Sequence, residues 1–373
     1  MTDSPHKKLI LAFDAKRLFN NFTGLGNYSR TLIKNLQHFY PEHEYHLFTP
    51  KMKENEETAY FFDHKKFIIH TSSKPLWRTF GVSGIAKKIN ADIYHGLSHE
   101  IPLNLPKKIK SIVTFHDLIY EIYPKQFGLW DRKMYKFKYK KSAEKADYIV
   151  SISESTKKDL QRLYHVPNDK IYVIPQSCQN VFQTASFEEP KTIINEKNYF
   201  LYVGSIIPRK NLLSVVKAFA QLEEAYRKPF IVIGNGPERY MSQIHQEIQK
   251  HNLSGWFTFL SHVSNDQLVS LYDQSYALCY PSVYEGFGIP VIESLFRKKP
   301  VITSKVSSLP EAVGGGGILI DPHSVEDLVR AFKEISHQTV YSALADAGYQ
   351  HVSDHFSTKA TAQKLMEFYY SVL

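Results

Sequence analysis

Short apolar runs alternate with amphipathic stretches along almost the whole chain. Runs rich in Val, Ile, Tyr and Phe, several of them ending in Gly or Pro, predict strands at 9–14, 45–48, 67–71, 93–95, 111–115, 148–152 and 171–174. A second series follows at 199–203, 230–233, 257–260, 276–280, 301–303 and 317–320. Between them the apolar positions keep a helical period. Leu212, Val216, Phe219 and Leu222 fall on one face, and Leu32, Ile33 and Leu36 on another. A last helix is expected over 357–373, capped by Ser357, with Leu365, Phe368, Tyr369 and Leu373 as its apolar side. Strand–helix alternation of this kind predicts an α/β protein of two Rossmann-like domains, with parallel sheets, helices on both faces and ligands at the C-terminal strand ends.

The chain has 373 residues, enough for two such domains. A polar, aperiodic stretch at 179–196 reads as the linker. It separates an N-terminal domain, 1–182 with the helix 357–373, from a C-terminal domain, 183–356. With 43 % hydrophobic and 22 % charged residues the chain is neither disordered nor collagen-like. Its two cysteines, Cys178 and Cys279, lie far apart and outside any CxxC, which excludes a cystine framework and suits a reducing compartment. The opening residues do not read as a secretory leader, because Asp14 breaks the apolar stretch, and no 18 apolar residues run together. A cytoplasmic, soluble or peripheral protein is expected.

The net charge of +9 is unevenly placed. Residues 1–185 hold 29 Lys and Arg against 18 Asp and Glu, and the rest hold 17 against 19. A basic first half suits anionic lipid, nucleic acid or a phosphorylated substrate, and composition does not choose among them.

Four segments carry chemistry. In Tyr280-Pro-Ser-Val-Tyr-Glu-Gly-Phe-Gly-Ile-Pro-Val-Ile-Glu293 a strand end meets the glycine loop Gly286-Phe287-Gly288, and Pro290 suits the first turn of a helix. Such a loop presents N–H groups to an anion or to sugar hydroxyls. Glu285 before it and Glu293 one turn in are placed to bind hydroxyls of one ligand. Taken alone, E-x7-E also describes a capped turn with two solvated glutamates. In Tyr202-Val-Gly-Ser-Ile-Ile-Pro-Arg-Lys-Asn211, Arg209 and Lys210 stand at a helix start, against the macrodipole, unless a diphosphate sits between. In Thr23-Gly-Leu-Gly-Asn-Tyr28, Gly24, Leu25 and Gly26 open a helix and allow close approach to a phosphate or a sugar. Ser29 replaces the last glycine of a dinucleotide fingerprint, which disfavours a nicotinamide enzyme. In Thr114-Phe-His-Asp-Leu118, His116 and Asp117 end a strand. Zinc spacings, GxxxxGK[ST], HExxH, GxSxG and DxD are all absent.

Together YPSVYEGFGIPVIES, VGSIIPRKN, TGLGNY, FHDL, ISESTKKDL, IGNGP and SSLPEAVGGGGILIDP resemble the retaining family-4 glycosyltransferases of the GT-B fold, over nearly the whole chain. The resemblance implies two Rossmann-like domains facing across a cleft, with the C-terminal helix crossing back to the N-terminal domain. It implies a nucleotide-sugar donor whose diphosphate is held by Arg209 and Lys210. Glu293 takes the ribose, and Glu285 with the amides of Phe287 and Gly288 holds the transferred sugar. Ser205, Gly286 and Ile289 complete the donor contacts. His116 lies near the sugar's hydroxyls, and Gly24 to Gly26 near the donor phosphates. Glu285, His116, Arg209 and Lys210 are thus the catalytic set, with no metal and no cofactor. Retention is expected by a front-face route in which the leaving phosphate takes the acceptor proton. Ser205 stands where many relatives have Arg, and Pro175-Gln-Ser-Cys where many have a Pro-Asn-Gly or Pro-His-Gly turn.

The TGLGNY and PRKN segments look closest to bacterial mannosyltransferases of surface polysaccharide, which favours GDP-mannose; UDP- and dTDP-sugars carrying glucosyl, galactosyl, N-acetylhexosaminyl or rhamnosyl groups are the alternatives. The acceptor is expected to be a glycan or lipid-linked glycan, as in lipopolysaccharide. His95, Ser98 and Glu100 are expected to line its side. Residues 131–141 interleave cations with aromatics and, with 74–78, suit an anionic surface at the inner face of the cytoplasmic membrane; the competing reading is a solvated helix with its aromatics turned inward. A non-catalytic basic binding protein is the reading from another class; nucleic acid is not expected as a partner, because the helix-start motifs cluster in two Rossmann-like halves.

Overall fold

The computed structural model of the chain describes residues 7–184 and 194–373. These form two compact units. One ends at Ser177 and takes in Thr358–Leu373, and the other is Cys178–Ser357. The first unit contains β1 (Ile10–Asp14), α1 (Lys16–Asn20), α2 (Gly24–Phe39), β2 (Glu44–Thr49), β3 (Phe67–Thr71), α3 (Val82–Lys88), β4 (Ile93–Gly96), β5 (Lys110–Phe115), α4 (Ile119–Ile122), α5 (Leu129–Lys145), β6 (Tyr148–Ser151), α6 (Glu154–Tyr164) and β7 (Ile171–Val173). Its strands make one sheet in the order β3-β2-β1-β4-β5-β6-β7, every pair parallel.

The second unit contains β8 (Tyr199–Val203), α7 (Leu212–Gln221), β9 (Phe230–Ile233), α8 (Glu238–Lys250), β10 (Phe257–Leu260), α9 (Asn265–Gln274), β11 (Ser275–Tyr280), α10 (Ile289–Phe296), β12 (Val301–Ser304), α11 (Leu309–Val313), β13 (Gly317–Ile320), α12 (Val325–Glu334) and α13 (Gln338–Phe356). Its sheet runs β10-β9-β8-β11-β12-β13, again with every pair parallel. Both orders reverse beside the first strand, at β1/β4 and at β8/β11, the switch point where such sheets bind ligands. All four residues of β9 are buried, as a parallel strand covered on both faces requires. Leu212, Val216, Phe219 and Leu222 line one core with Phe230, Phe257 and Phe332.

The last helix, α14 (Thr358–Ser371), belongs to the first unit. Leu365, Phe368 and Tyr369 are buried as expected, but Leu373 lies beyond the helix and is half exposed. Phe368 packs against Tyr172 with ring centres 4.5 Å apart, and the Tyr370 hydroxyl meets His43 Nε2 at 3.0 Å.

The division falls a few residues before the expected one. Residues 178–182, grouped with the first domain from sequence, pack on the second unit. Cys178 and Phe182 are buried, and Phe182 stands edge-on to Tyr272, with ring centres 6.0 Å apart. Of the expected linker 179–196, residues 185–193 lie outside the described residues. Cys178 and Cys279 are both buried and form no disulfide with each other. Among the described residues no helix is long and apolar enough to cross a membrane.

Candidate active site

The site of the second unit is built at the ends of β8 and β11. After β8 the chain turns at Gly204, whose φ of 139° favours glycine. A Cβ there would lie 3.6 Å from Lys210 Nζ. Gly234, after β9, is pressed closer still: a Cβ would fall 2.0 Å from the Gly204 carbonyl oxygen. The two turns can therefore lie side by side only with glycine at 234. Beyond them, with Ser261 to Ser264 and Gln267, opens a depression of about 620 Å³.

Arg209 and Lys210 occupy a single 3-10 turn, Pro208–Lys210, ahead of α7 rather than in its first turn. Asn211 follows in the left-handed region, φ 64°. Its amide donates to the carbonyls of Pro281, 3.2 Å, and Pro322, 2.7 Å, while its oxygen accepts from Ser214 at 2.7 Å. Asn211 thereby ties this turn to the loops after β11 and β13. The Arg209 carbonyl also accepts from the Val283 amide at 2.9 Å.

The two cations converge on one carboxylate. Glu285 Oε1 is 2.9 Å from Arg209 Nη1 and 2.8 Å from Lys210 Nζ, and all three side chains are about a tenth exposed. Arg209 also donates to the Tyr284 carbonyl and Lys210 to the Tyr280 hydroxyl, with the ammonium 4.5 Å from the Tyr280 ring centre. Burial pushes the Glu285 carboxyl up, but Lys210 and Arg209 outweigh it and leave it below the ordinary carboxylate value. Burial lowers the Lys210 ammonium, and Glu285 opposes that. Two cations and one carboxylate leave a net positive charge in a partly dry site, which suits an anion.

The glycine loop is pinned from β12's far end. The Glu285 amide donates to Ser307 Oγ at 3.0 Å, and Ser308 Oγ lies 3.0 Å from the Glu285 carbonyl and 2.8 Å from that of Phe287. Gly288, φ 117°, leads into α10, where Leu309 would stand 3.0 Å from a Cβ. Among the described residues no acceptor is bonded to the amides of Phe287 and Gly288. They sit at the positive end of α10, whose first turn carries no acidic side chain. Ser205 is exposed, its carbonyl taken by the Tyr202 hydroxyl at 3.2 Å.

Glu293 is not the solvated glutamate of a plain capped turn. It is 7 % exposed, and the Tyr272 hydroxyl donates to its Oε2 at 2.9 Å. Burial pushes its carboxyl up to about 7, the Tyr272 hydrogen bond opposing. The structure thus brings Glu285, Arg209 and Lys210 into one ion-paired cluster and gives Glu293 a separate partner. Asn211, Tyr272, Tyr280, Ser307 and Ser308 were not assigned from sequence. Asn211 stood inside the quoted PRKN run, but a tie between carbonyls distant in sequence leaves no local pattern.

The first unit holds the other expected residues. His116, just past β5, is buried and donates from Nε2 to the Leu97 carbonyl at 2.8 Å, while its amide meets His99 Nε2 at 3.2 Å. Burial pushes its imidazole down to about 4, so it is neutral at pH 7 with Nδ1 as the acceptor. The Tyr28 ring stands edge-on to it, with centres 4.5 Å apart. Asp117 instead accepts from the Ile119 amide at 3.0 Å, at the start of α4. His95 was expected from sequence to line the acceptor's side, but it faces no open surface. It is fully buried between Tyr369 and Thr114, at 2.6 and 2.7 Å. Ser98 is buried too, while Glu100 is partly open and faces Arg78 at 3.7 Å.

The loop before α2 divides its glycines. A Cβ on Gly26 would come within 1.6 Å of the Asn21 carbonyl oxygen, whereas one on Gly24 would meet nothing within 4 Å. The Gly26 amide is already taken, by Asn21 Oδ1 and the Thr23 carbonyl, each at 3.0 Å. Gly26 therefore serves packing and offers no amide to a phosphate; Leu25 stands between the two, and its carbonyl accepts from Ser29 Oγ at 2.9 Å.

Residues 184–351 match the family model described as glycosyl transferases group 1, and residues 22–177 match that of glycosyltransferase family 4. The O-antigen chain mannosyltransferase B of Escherichia coli is 28 % identical over 326 residues, covering 82 % of this chain and 84 % of that protein. The O-antigen chain mannosyltransferase RfbU of Salmonella typhimurium LT2 is 31 % identical over 237 residues, covering 64 % and 63 %. Among solved structures, Anabaena HepE in complex with UDP-glucose aligns with a TM-score of 0.74 and 15 % identity, over 98 % of this chain and all of that one.

Proposed function

Because the chain belongs to the family-4 glycosyltransferases of the GT-B fold, we propose that it moves a mannosyl group from GDP-mannose to a sugar hydroxyl of a growing, lipid-linked O-antigen-type polysaccharide, retaining the anomeric configuration and using no metal. Two relatives named as O-antigen chain mannosyltransferases support the sugar and the acceptor class. The observation that carries the reading is the convergence of Arg209 and Lys210 on Glu285 beside the N-terminus of α10. A diphosphate seated there meets two cations and the helix's positive end.

In this reading the bond from sugar C1 to the diphosphate oxygen breaks, and the acceptor oxygen bonds C1 on the same face. The acceptor's proton passes to the departing phosphate oxygen, so neither glutamate serves as a general base. Arg209 and Lys210 stabilise the developing charge, already fixed in place by Glu285. Glu285 and the amides of Phe287 and Gly288 take sugar hydroxyls, and Glu293 takes those of the ribose. The nucleoside rests in the depression beside Gly204 and Gly234, with Ser205 and Ile289 at its phosphate side. His116 offers neutral Nδ1 to a sugar hydroxyl, and Gly24 and Leu25 offer amides to an anion. The protein works at the inner face of the cytoplasmic membrane.

The test is a thermal-shift series with GDP, UDP, dTDP and their sugars, with and without EDTA. A ligand at about 100 times its Kd stabilises by roughly 2.7 kcal/mol. A shift with GDP and GDP-mannose that survives EDTA and is lost in Lys210→Ala and Glu293→Ala is expected. A shift only with UDP or dTDP ligands would discard the mannosyl donor, and a β-linked product by NMR would discard retention. No shift with any nucleotide would favour a binding protein.

A further inference from the structure

Helix α5 carries two apolar stripes on opposite sides. At 100° per residue, Tyr135, Tyr139 and Ser142 share one side, and Leu129, Trp130, Met134 and Phe137 share the other. The first side is covered: Tyr139 is buried and stacks on His99, with ring centres 4.5 Å apart. The second is bare. Leu129 is 76 % exposed, Trp130 81 % and Phe137 69 %. A solvated helix with its aromatics turned inward thus accounts for the tyrosines alone.

The bare stripe is set among cations. The helix holds seven Lys and Arg against two acidic residues. Lys133 and Lys140 are exposed and fall within the apolar side, Lys133 lying 5.5 Å from the centre of the Trp130 ring. A second exposed apolar element is fastened next to it. In the turn 76–80, Trp77 is buried, but Leu76 and Phe80 are exposed, and Leu76 is held at φ 56°, an uncommon backbone for a side chain of its size. The carbonyls of Thr79 and Phe80 accept from Leu103 and Asn104, each at 3.0 Å, and the Leu103 carbonyl accepts from Lys145 of α5 at 3.1 Å. Glu100 pairs with both Arg78, 3.7 Å, and Lys138, 3.8 Å. One strap, 100–104, thus binds turn and helix together.

We infer that Leu129, Trp130, Met134 and Phe137 of α5, with Leu76 and Phe80, form a surface that docks on an anionic lipid bilayer. The charge decides the occupant. Lysines interspersed with exposed aromatics repel a second copy of this basic patch and match lipid phosphates, while the apolar rings enter the headgroup boundary. The helix, about 25 Å long, lies in the plane of the surface.

The experiment is co-sedimentation of the full chain with vesicles of phosphatidylcholine alone and with phosphatidylglycerol added. Neither donor nor acceptor is used, so the result is separate from that of the nucleotide series. Binding is expected on the anionic vesicles, weaker by about tenfold or more on neutral ones, and falling with salt. Trp130→Ser with Phe137→Ser, both at exposed positions, is expected to keep the wild-type melting temperature and bind about tenfold or more less tightly. Lys133→Gln with Lys140→Gln is expected to lose about thirtyfold. On anionic vesicles the tryptophan emission moves to the blue in wild type and stays put in Trp130→Phe. Equal binding to both vesicle types, or wild-type binding by Trp130→Ser/Phe137→Ser, would overturn the proposal. So would concentration-dependent self-association lost in that variant with no affinity for vesicles, which would give the patch to a second copy.

Discussion

Past the C-terminal ends of the two sheets lie two groups of polar side chains that differ in charge. In the second unit Glu285, Arg209 and Lys210 lie together at about a tenth exposure, the carboxylate opposed by both cations. In the first, His95, His99 and His116 are buried with no carboxylate among the described residues to pair them, and burial drives all three down, His95 to about 3 and His116 to about 4. Arg17 adds to the effect at His99 and His116. Burial penalises charge in both groups, and what differs is the compensation. The cluster of the second unit is suited to hold an anion, and the histidine group of the first to recognise uncharged hydroxyls.

Removing one cation should break the charged cluster most. Lys210→Ala deletes the ammonium that Glu285 and Tyr280 position, and a group stabilising transition-state charge is worth about 10²–10³ in kcat. We expect that loss in a turnover assay, with an unfolding midpoint that falls much less than activity. Lys210→Arg should restore charge but not the fit against Tyr280, and recover only part. Wild-type turnover in Lys210→Ala would remove the cluster from catalysis.

Glu293 sharpens the contrast inside the second unit, because it is buried with no cation paired to it among the described residues. Its folded carboxyl lies near 7, above the ordinary 4.5. Between those values the folded state holds a proton that the unfolded chain has released. The stabilisation this gives is full below about pH 4.5 and is lost as pH rises through 7, an effect of the order of 3 kcal/mol. Glu293→Gln should flatten denaturation curves measured between pH 5 and 8. Ribose hydroxyls donate best to the ionised carboxylate, so nucleotide affinity in the wild type should rise over the same range. Identical pH profiles in wild type and Glu293→Gln would show that the carboxyl titrates as an ordinary one.

Much of this was legible in the sequence, and the gaps have physical causes. All thirteen strands among the described residues could be read from runs rich in Val, Ile, Tyr and Phe, most plainly where a parallel strand covered on both faces is an unbroken apolar run, as in Phe230–Ile233. The loop around Glu285 could be read because Gly288 and Pro290 have local backbone reasons to be there. What could not be read was the pairing. Nothing local joins Glu285 to a turn 75 residues earlier, so the glutamate looked like a ligand-binding group and not also a clamp on two cations. The two glycines of Thr23-Gly-Leu-Gly look alike in sequence, yet only Gly26 faces the Asn21 carbonyl. His95, at the end of an expected strand, was expected to line the acceptor's side. Its actual partner, Tyr369, lies 274 residues away.

That partner gives the smallest test of the comparison. The Tyr369 hydroxyl of α14 meets His95 Nδ1, His95 Nε2 meets the Thr114 hydroxyl, and Thr114 meets the Tyr28 hydroxyl at 3.2 Å. Burial keeps both phenols protonated and His95 neutral, so the chain of bonds carries no charge. Tyr28 in turn braces His116. Tyr369→Phe keeps the packing and leaves Nδ1 buried without its hydrogen-bond partner, a cost of about 1–3 kcal/mol. For a unit of this size that is a fall of several degrees in its melting temperature. Nucleotide affinity should hold, because the charged cluster is formed by residues of the second unit and the network by residues of the first. If Tyr369→Phe lost nucleotide affinity while melting as the wild type does, the uncharged network would be part of the anion site and the contrast between the two groups would fail.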